Sequence, residues 1–432
     1  MRQGQRKFQP SAPAPSRIGE LAVDKMGAQG DGVAYETSGG DQIYLPFALP
    51  GERTRAEITG DRARLLEVLQ PSPDRIAPPC PHFGHCGGCA LQHWAQAPYL
   101  AWKAAVIGEA LARERIETQI LPAFASPPGS RRRLALHARP GAGAEARLGY
   151  KARGSWRLVE IEVCPIADPR LQAALPSLRR LASAFFGTPR SAPILHATWT
   201  QTGLDVDVTG VERRSGGLSA DARIRAAEAA QAGDMARVTL AGEIIYQARW
   251  PMVRLGLASL ALPPGAFLQA TPQAEAAMAA FAAEALAGAA RIADLFSGVG
   301  TFAFRLAETS QVLAADSSGG AIAALSEARS SAAGLKPIIA ETRDLFRRPM
   351  LAQDLKAFDA ALFDPPRAGA AAQAAQIAES RLARVVGVSC NPATFARDAR
   401  ILLGAGFRLE RVLPVDQFLW SPHVELVGVF SR

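Results

Sequence analysis

Between residues 17 and about 74, apolar and polar positions alternate in short runs: IGELAVDKMG, GVAYE, DQIYLPFALPGE, TRAEITG and ARLLEVL. Gly-Asp and Gly-Gly turn signals separate them. Five such runs predict five short strands, enough to close a small barrel of the oligonucleotide-binding kind. From about 94 to 255 helical patterns (YLAWKAAVIGEALARERI, PRLQAALPSLRRLASAFF) mix with strand patterns (ILHATWTQTGLDVDVTG, MARVTLAGEIIYQARWP), which predicts an α+β module. After LALPPGAFLQATP the pattern becomes a regular alternation. A helix capped by Thr271 leads to strand RIADLF, loop SGVG, helix TFAFRLAE and strand QVLAAD. A helix, strand KPIIAE, a helix, strand FDAALFDPP, a helix, strand RVVGVSC and a final helix and strand pair follow. Alternating β and α segments predict a largely parallel sheet covered on both faces, with ligands at the C-terminal ends of its strands.

These switches divide the chain into a basic tail (1–16), a barrel (17–76), a central α+β domain (77–262) and a C-terminal α/β domain of the Rossmann-like kind (263–432). A length of 432 residues suits several cores. The tail MRQGQRKFQPSAPAPSR lacks the apolar run of a signal peptide, and AEAAMAAFAAEALAGAA is interrupted by Glu275 and Glu284. A cytoplasmic monomer with no membrane association is therefore expected, and five cysteines in a reducing compartment point to metal binding or catalysis. Of the net charge of +8, most falls in residues 81–170, with 12 Lys and Arg against 7 Asp and Glu. There SRRRLALHARP gathers Arg131, Arg132, Arg133 and Arg139, which suits a phosphate-rich partner or, equally, a solvated face.

Two clusters carry chemistry. In CPHFGHCGGCALQH, Cys80, Cys86 and Cys89 have the spacing C-x5-C-x2-C, and 74 residues separate Cys89 from Cys164. Thiolates so close repel unless a metal takes up their charge. Zinc, with or without one of His82, His85 and His93, and an iron-sulfur cluster both fit the spacing. In the C-terminal part, DLFSGVGTF carries Asp294, Gly298 and Gly300, Asp316 ends the next strand, and Asp344 follows the third. Glycines at a β-α turn with an acid for ribose hydroxyls suit S-adenosylmethionine, while the missing third phosphate-loop glycine disfavours a dinucleotide. LFDPPRAG puts Asp364 and Arg367 at the end of the fourth strand. Cys390 follows the apolar run Val385 to Val388, just before a helix start at Asn391 and Pro392, where exposed amides would stabilise a thiolate. A thiolate beside a methyl donor has a use in adding to carbon 6 of uracil, which turns carbon 5 into a nucleophile. Glu425, flanked by Val424, Leu426 and Val427, is the candidate base for the carbon 5 proton, with His423 on the same strand face as the alternative.

SCNPATFARD with a downstream HVE, DPPRAG, DLFSGVGTF, FLQAT and CGGC, in that family's order, resemble the RNA 5-methyluridine methyltransferases. YLPFALPGERTRAEI with VLQPSPDRIAP resembles the TRAM domain, an RNA-binding barrel, and so points to the branch acting on 23S ribosomal RNA. The resemblance implies Cys390 as nucleophile and Glu425 as proton acceptor. It implies a class I methyltransferase domain with S-adenosylmethionine contacts at Gln269, Phe296, Thr301, Asp316, Asp344 and Asp364. It also implies a [4Fe-4S] cluster on Cys80, Cys86, Cys89 and Cys164. The chain departs from the family pattern at Ser297, Thr271 and Asp316 and in FLWSPHVE. Two other readings are a transfer RNA uridine methyltransferase, a branch that generally lacks barrel and cysteine cluster, and a non-catalytic RNA-binding scaffold.

Overall fold

The computed structural model describes residues 15–37, 39–142, 145–187, 191–211 and 218–432. Most of the expected tail, 1–16, lies outside them. The chain forms two compact units, one ending at Pro78 and including Ala90–Pro98, the other made of Pro79–Cys89 and Tyr99–Arg432. Among the described residues no helix is long and apolar enough to cross a membrane.

In the first unit, β1 (Arg17–Met26), β2 (Asp31–Glu36), β3 (Ile43–Pro46), β4 (Arg53–Thr59) and β5 (Arg62–Gln70) close a barrel in the order β1-β2-β3-β5-β4. Alternation turns Leu21, Val23, Ala34, Ile43, Leu45, Ala56 and Ile58 inward. Glu52 ties the chain beyond β5 back to the barrel, accepting from the Leu49 and Ser72 amides at 2.8 and 3.3 Å and pairing with Arg75. Although burial opposes its charge, Arg75 and those amides hold its carboxyl below the ordinary value.

In the second unit α1 (Gln96–Arg113) precedes the two-residue strands β6 (Gln119–Ile120) and β7 (Phe124–Ala125). A seven-stranded sheet follows, in the order β10-β9-β8-β11-β12-β13-β14. It comprises β8 (Arg133–Arg139), β9 (Arg147–Lys151), β10 (Leu158–Glu160), β11 (Ile194–Thr200), β12 (Gly203–Thr209), β13 (Met235–Leu240) and β14 (Glu243–Gln247). Helices α2 (Pro169–Ala173), α3 (Leu175–Ser183) and α4 (Ala220–Ala232) pack their leucines and alanines into its core. Hairpin β15 (Met252–Leu255) and β16 (Ala258–Ala261) leads into the alternating region.

There α5 (Pro272–Ala285), capped by Thr271 Oγ1 on the Ala274 amide at 3.2 Å, precedes β17 (Arg291–Leu295), α6 (Ala303–Leu306), β18 (Gln311–Asp316), α7 (Gly319–Ser331) and β19 (Ile338–Thr342). The chain continues through β20 (Ala360–Phe363), α8 (Ala371–Glu379), β21 (Arg384–Ser389), α9 (Pro392–Gly404), β22 (Arg408–Asp416) and β23 (Glu425–Ser431). The sheet order is β19-β18-β17-β20-β21-β23-β22-β6, with β7 also on β22. Its first five strands are parallel, and β23 is antiparallel to both neighbours. One face is covered by α5, α6 and α7, the other by α1, α8 and α9. Chain order reverses direction between β17 and β20, which opens a crevice beyond their carboxyl ends.

Two expectations fail here. Between β19 and β20 the expected helix is only a 3-10 turn at Asp354–Ala357. Asp344 instead folds the chain back, its Oδ1 accepting from the Phe346 and Arg347 amides at 3.0 and 3.2 Å. Further upstream, α1, β6 and β7 join the nine-stranded sheet despite lying far ahead of it in sequence.

Gly387 and Gly428 face each other across β21 and β23. A Cβ on Gly428 would lie 2.4 Å from the Phe395 ring, and one on Gly387 3.3 Å from it. The pair forms a slot that seats the Phe395 ring of α9, and so fixes the start of α9 where Cys390 sits. Gly428→Ala is expected to destabilise the protein by about 1–3 kcal/mol, seen as a lowered urea midpoint.

Candidate active site

The crevice collects side chains from seven places in the chain. Phe296, at φ +63°, turns the chain out of β17 into the loop of Gly298 and Gly300. The Gly298 amide donates to Asp316 Oδ2 at 3.0 Å and the Ser318 amide to Asp316 Oδ1 at 2.7 Å, so each carboxylate oxygen keeps a lone pair for a ligand. Beneath them Asp294 is fully buried, and neither its carboxylate nor the Ser297 hydroxyl has a hydrogen-bond partner among the described residues. Burial and the charges of Asp364 and Asp316 push Asp294 well above the carboxylate range. Thr301 is half-buried in the same turn. Asp344 keeps one oxygen on its own turn, while Phe346 tilts against Phe296 with ring centroids 5.4 Å apart.

On the other side of the crevice an amide relay joins two acids. Gln269 Nε2 donates to Asp364 Oδ2 at 3.4 Å, and its Oε1 accepts from Gln417 Nε2 at 2.7 Å. Gln417 Nε2 also donates to Glu425 Oε2 at 2.7 Å, and its Oε1 accepts the Ala270 amide at 2.7 Å. Both amide orientations are thereby fixed. Glu425 is buried at the first position of β23, and burial with the Asp364 charge pushes its carboxyl up to about 8, against the pull of Gln417 and Arg367. Asp364 is pushed to about 7 by burial and by Asp316.

Cys390 lies between β21 and α9. Asn391 caps α9 through the Ala393 amide at 3.1 Å, with Pro392 in the first turn, as the sequence predicts. The thiol does not have the low pKa expected at a helix start. Burial and the charges of Glu425 and Asp364 raise it, outweighing Arg367, which hydrogen-bonds to it. Arg367 therefore faces the sulfur, and its Nη2 lies 3.3 Å from His423 Nδ1. His423 is in the loop before β23, not on a strand beside Glu425, and burial followed by the Arg367, Lys103 and Arg131 charges lowers its pKa.

Several groups that set this geometry were missed in the sequence. Lys103 of α1 is buried against Asp416 at the end of β22 and donates to the carbonyls of His423 and Phe418 at 2.7 and 3.3 Å. Burial lowers its pKa to about 8, with Asp416 opposing. Tyr99 donates to Asp416 at 2.7 Å and accepts the Trp420 amide at 2.8 Å. Together they pin both ends of the loop from Gln417 to Val424. Arg132 is not on an arginine surface. It is buried, pairs with Glu275, and donates to the Gln269 carbonyl at 3.1 Å, while Arg133 donates to the Leu268 carbonyl. These cations hold the FLQAT segment. A basic residue followed by another and an alternating strand gave no sign that they turn inward.

The cysteine loop is elsewhere in this unit. Cys86 and Cys164 are both raised, first by burial, with the Cys80 charge and, for Cys86, the Cys164 charge adding to it. The Gly88 amide donates to Cys86 Sγ at 3.4 Å. A Cβ on Gly87 would lie 2.6 Å from the Lys151 carbonyl oxygen, so only glycine lets the loop dock on β9. Among the described residues, no group of three or more His, Cys, Asp or Glu is placed to hold a metal ion.

Seven strands in the order β19-β18-β17-β20-β21-β23-β22, with β23 antiparallel and a glycine turn and acids at the switch point, make an α/β methyltransferase domain. Residues 260–432 match the family described as tRNA (Uracil-5-)-methyltransferase. The chain is 61% identical, over 96% of its length and 100% of the relative, to an uncharacterized RNA methyltransferase of Caulobacter vibrioides. It is 33% identical, over 96% of each chain, to the 23S rRNA (uracil(1939)-C(5))-methyltransferase of Alkalilimnicola ehrlichii. In fold it resembles the crystal structure of the Pyrococcus abyssi tRNA (uracil-54, C5)-methyltransferase in complex with S-adenosyl-L-homocysteine, with a TM-score of 0.72 over 96% of this chain and 99% of that one at 23% identity. The chain belongs to the RNA uracil-5-methyltransferase family.

Glu425 binds a proton more tightly folded than unfolded, so stability falls as pH rises from about 4.3, the ordinary glutamate value, to about 8. Glutamine carries no such penalty. Glu425→Gln is expected to raise the melting temperature by several degrees at pH 9, with the gain shrinking toward pH 5, as followed by calorimetry across that range.

Proposed function

We propose that the protein methylates carbon 5 of a uridine in 23S ribosomal RNA through a transient bond between Cys390 Sγ and carbon 6 of the base. The observation that carries this reading is the meeting of Cys390 and Glu425, 35 positions apart in sequence, close enough that an ionised Glu425 raises the thiol's pKa. Arg367, against the sulfur, favours the thiolate. Addition of that thiolate to carbon 6 places electron density on carbon 5, which would take the methyl group of a bound S-adenosylmethionine as the methyl–sulfur bond breaks and its electron pair stays on the donor sulfur. Glu425 then takes the proton from carbon 5, the carbon 6–sulfur bond breaks, and its electron pair returns to sulfur. A carboxyl poised at about 8 mostly holds a proton near neutral pH, and the fraction that is ionised there is a strong base for that step.

S-adenosylmethionine, when bound, supplies the methyl group. The residues fit it: the partnerless buried polar atoms of Asp294 and Ser297 and the raised Asp364 favour a cationic ligand, and Asp316 has lone pairs for ribose hydroxyls. Gln269, Phe296, Gly298, Gly300, Thr301, Asp344 and Asp364 complete its proposed surroundings. We assign Cys80, Cys86, Cys89 and Cys164 to a [4Fe-4S] cluster. What supports the assignment is that Cys86 and Cys164 lie near Cys80, whose charge adds to the burial that raises both thiols, and that the Gly88 amide donates to Cys86 Sγ. The choice of 23S ribosomal RNA follows the Alkalilimnicola relative and the five-stranded barrel, read as the TRAM-like RNA-binding domain.

Transcripts carrying 5-fluorouridine offer no carbon 5 proton, so the enzyme should stay covalently attached to 23S fragments when labelled methyl donor is present. Cys390→Ala should trap none. With ordinary uridine, Glu425→Gln should accumulate the adduct and turn over at least about 100-fold more slowly. Equal trapping by Cys390→Ala would overturn the mechanism, and methylation of transfer RNA transcripts alone would overturn the target. Protein purified without oxygen is expected to contain iron and acid-labile sulfide, both lost in Cys86→Ser. Zinc without iron would contradict the cluster.

A further inference from the structure

We propose that Trp156, at the tip of the β9–β10 hairpin, is a stacking platform for an unpaired base of the substrate RNA outside the crevice. The inference rests on the reading of the protein as an RNA methyltransferase, but not on its covalent mechanism. At 79% exposed, Trp156 is the most exposed large apolar side chain among the described residues. Exposure alone would mean little. The indole, however, is held: Lys151 Nζ sits 3.7 Å from its ring centroid, which fixes one side by a cation-π contact.

The tip beneath it is also fixed. The Ala152 amide donates to the Arg157 carbonyl at 2.8 Å, the Ser155 amide to the Ala152 carbonyl at 3.1 Å, and the Arg157 amide to Ser155 Oγ at 3.1 Å. Behind it the cysteine loop is stapled on, with the Gly87 amide donating to the Lys151 carbonyl at 2.9 Å and Cys86 bridged to Ala152. A rigid ring loses little entropy on stacking. Arg153 and Arg157, which flank Trp156 in sequence, are exposed, in the segment that holds most of the chain's positive excess. The nearest acid on β10, Glu160, is already paired with Arg147 at 3.1 Å.

On the crevice side, the Arg131 guanidinium lies 5.9 Å from the Phe418 ring in the loop before β23. On the hairpin tip a cation at Lys151 stands against the indole of Trp156. Alternating cations and an aromatic ring match the phosphates and bases of single-stranded RNA. Duplex RNA, whose bases are already stacked, could use only the cations.

The test is fluorescence anisotropy with a fluorescein-labelled single-stranded RNA of about 20 nucleotides, and with the same sequence as a duplex. Trp156→Ala should weaken single-strand binding about tenfold and duplex binding less than twofold, and Trp156→Phe should recover most of the loss. Melting temperatures should stay together, since the ring is exposed. Unchanged single-strand binding by Trp156→Ala, or an equal loss on both RNAs, would overturn the proposal. Because binding is read without turnover, a wild type that binds through Trp156 yet methylates nothing would sink the catalytic reading and leave this one standing.

Discussion

Asp364, Glu425 and Cys390 share a crevice that solvates none of them well, and this competition for charge governs the site. Each ionised carboxylate makes the next proton harder to remove, so Glu425 is held near 8, Asp364 near 7 and the thiol above its ordinary value. Arg367 is the cation at the centre of the set, acting on both the sulfur and Glu425. A site of this kind resists ionising its nucleophile at rest, and the same proton affinity makes Glu425 an effective acceptor.

Such an arrangement persists only if its surroundings hold it. The buried pairs Lys103 with Asp416 and Arg132 with Glu275 stand directly behind Gln417 and Gln269, the two amides that join the acids. Removing one member of a buried pair strands a charge and costs about 3–5 kcal/mol, so these contacts set the loop positions firmly. The glycine slot for Phe395 does the same for α9. Three parts of the chain far apart in sequence thus meet at fixed distances.

The C-terminal alternation was legible because strands and helices there have distinct periods and some of the helices begin with a recognisable cap, as at Thr271 and Asn391. Cys390, Asp316 and Asp364 could be singled out because strand ends are where such a fold places ligands, and Glu425 because its apolar neighbours promised burial. What could not be read was side-chain direction. Arg132 and Lys103 look like surface charges until tertiary packing supplies Glu275 and Asp416, more than a hundred positions away. Gln417 carries no pattern at all; only the fold makes it a bridge. Cys390 was expected to be acidic from its helix start, a local effect that burial, and then the charges of two carboxylates, outweigh. The run after β19 looked helical, but the Asp344 turn took its amides first.

The central claim is that Glu425 controls the proton on Cys390, and the pH dependence of Cys390 alkylation by iodoacetamide, followed on its own peptide by mass spectrometry, tests it most directly. The account predicts a midpoint above that of a free cysteine in wild type and a downward shift when Glu425 is replaced by glutamine. A wild-type midpoint below the free value, or one that the replacement leaves unmoved, would contradict it.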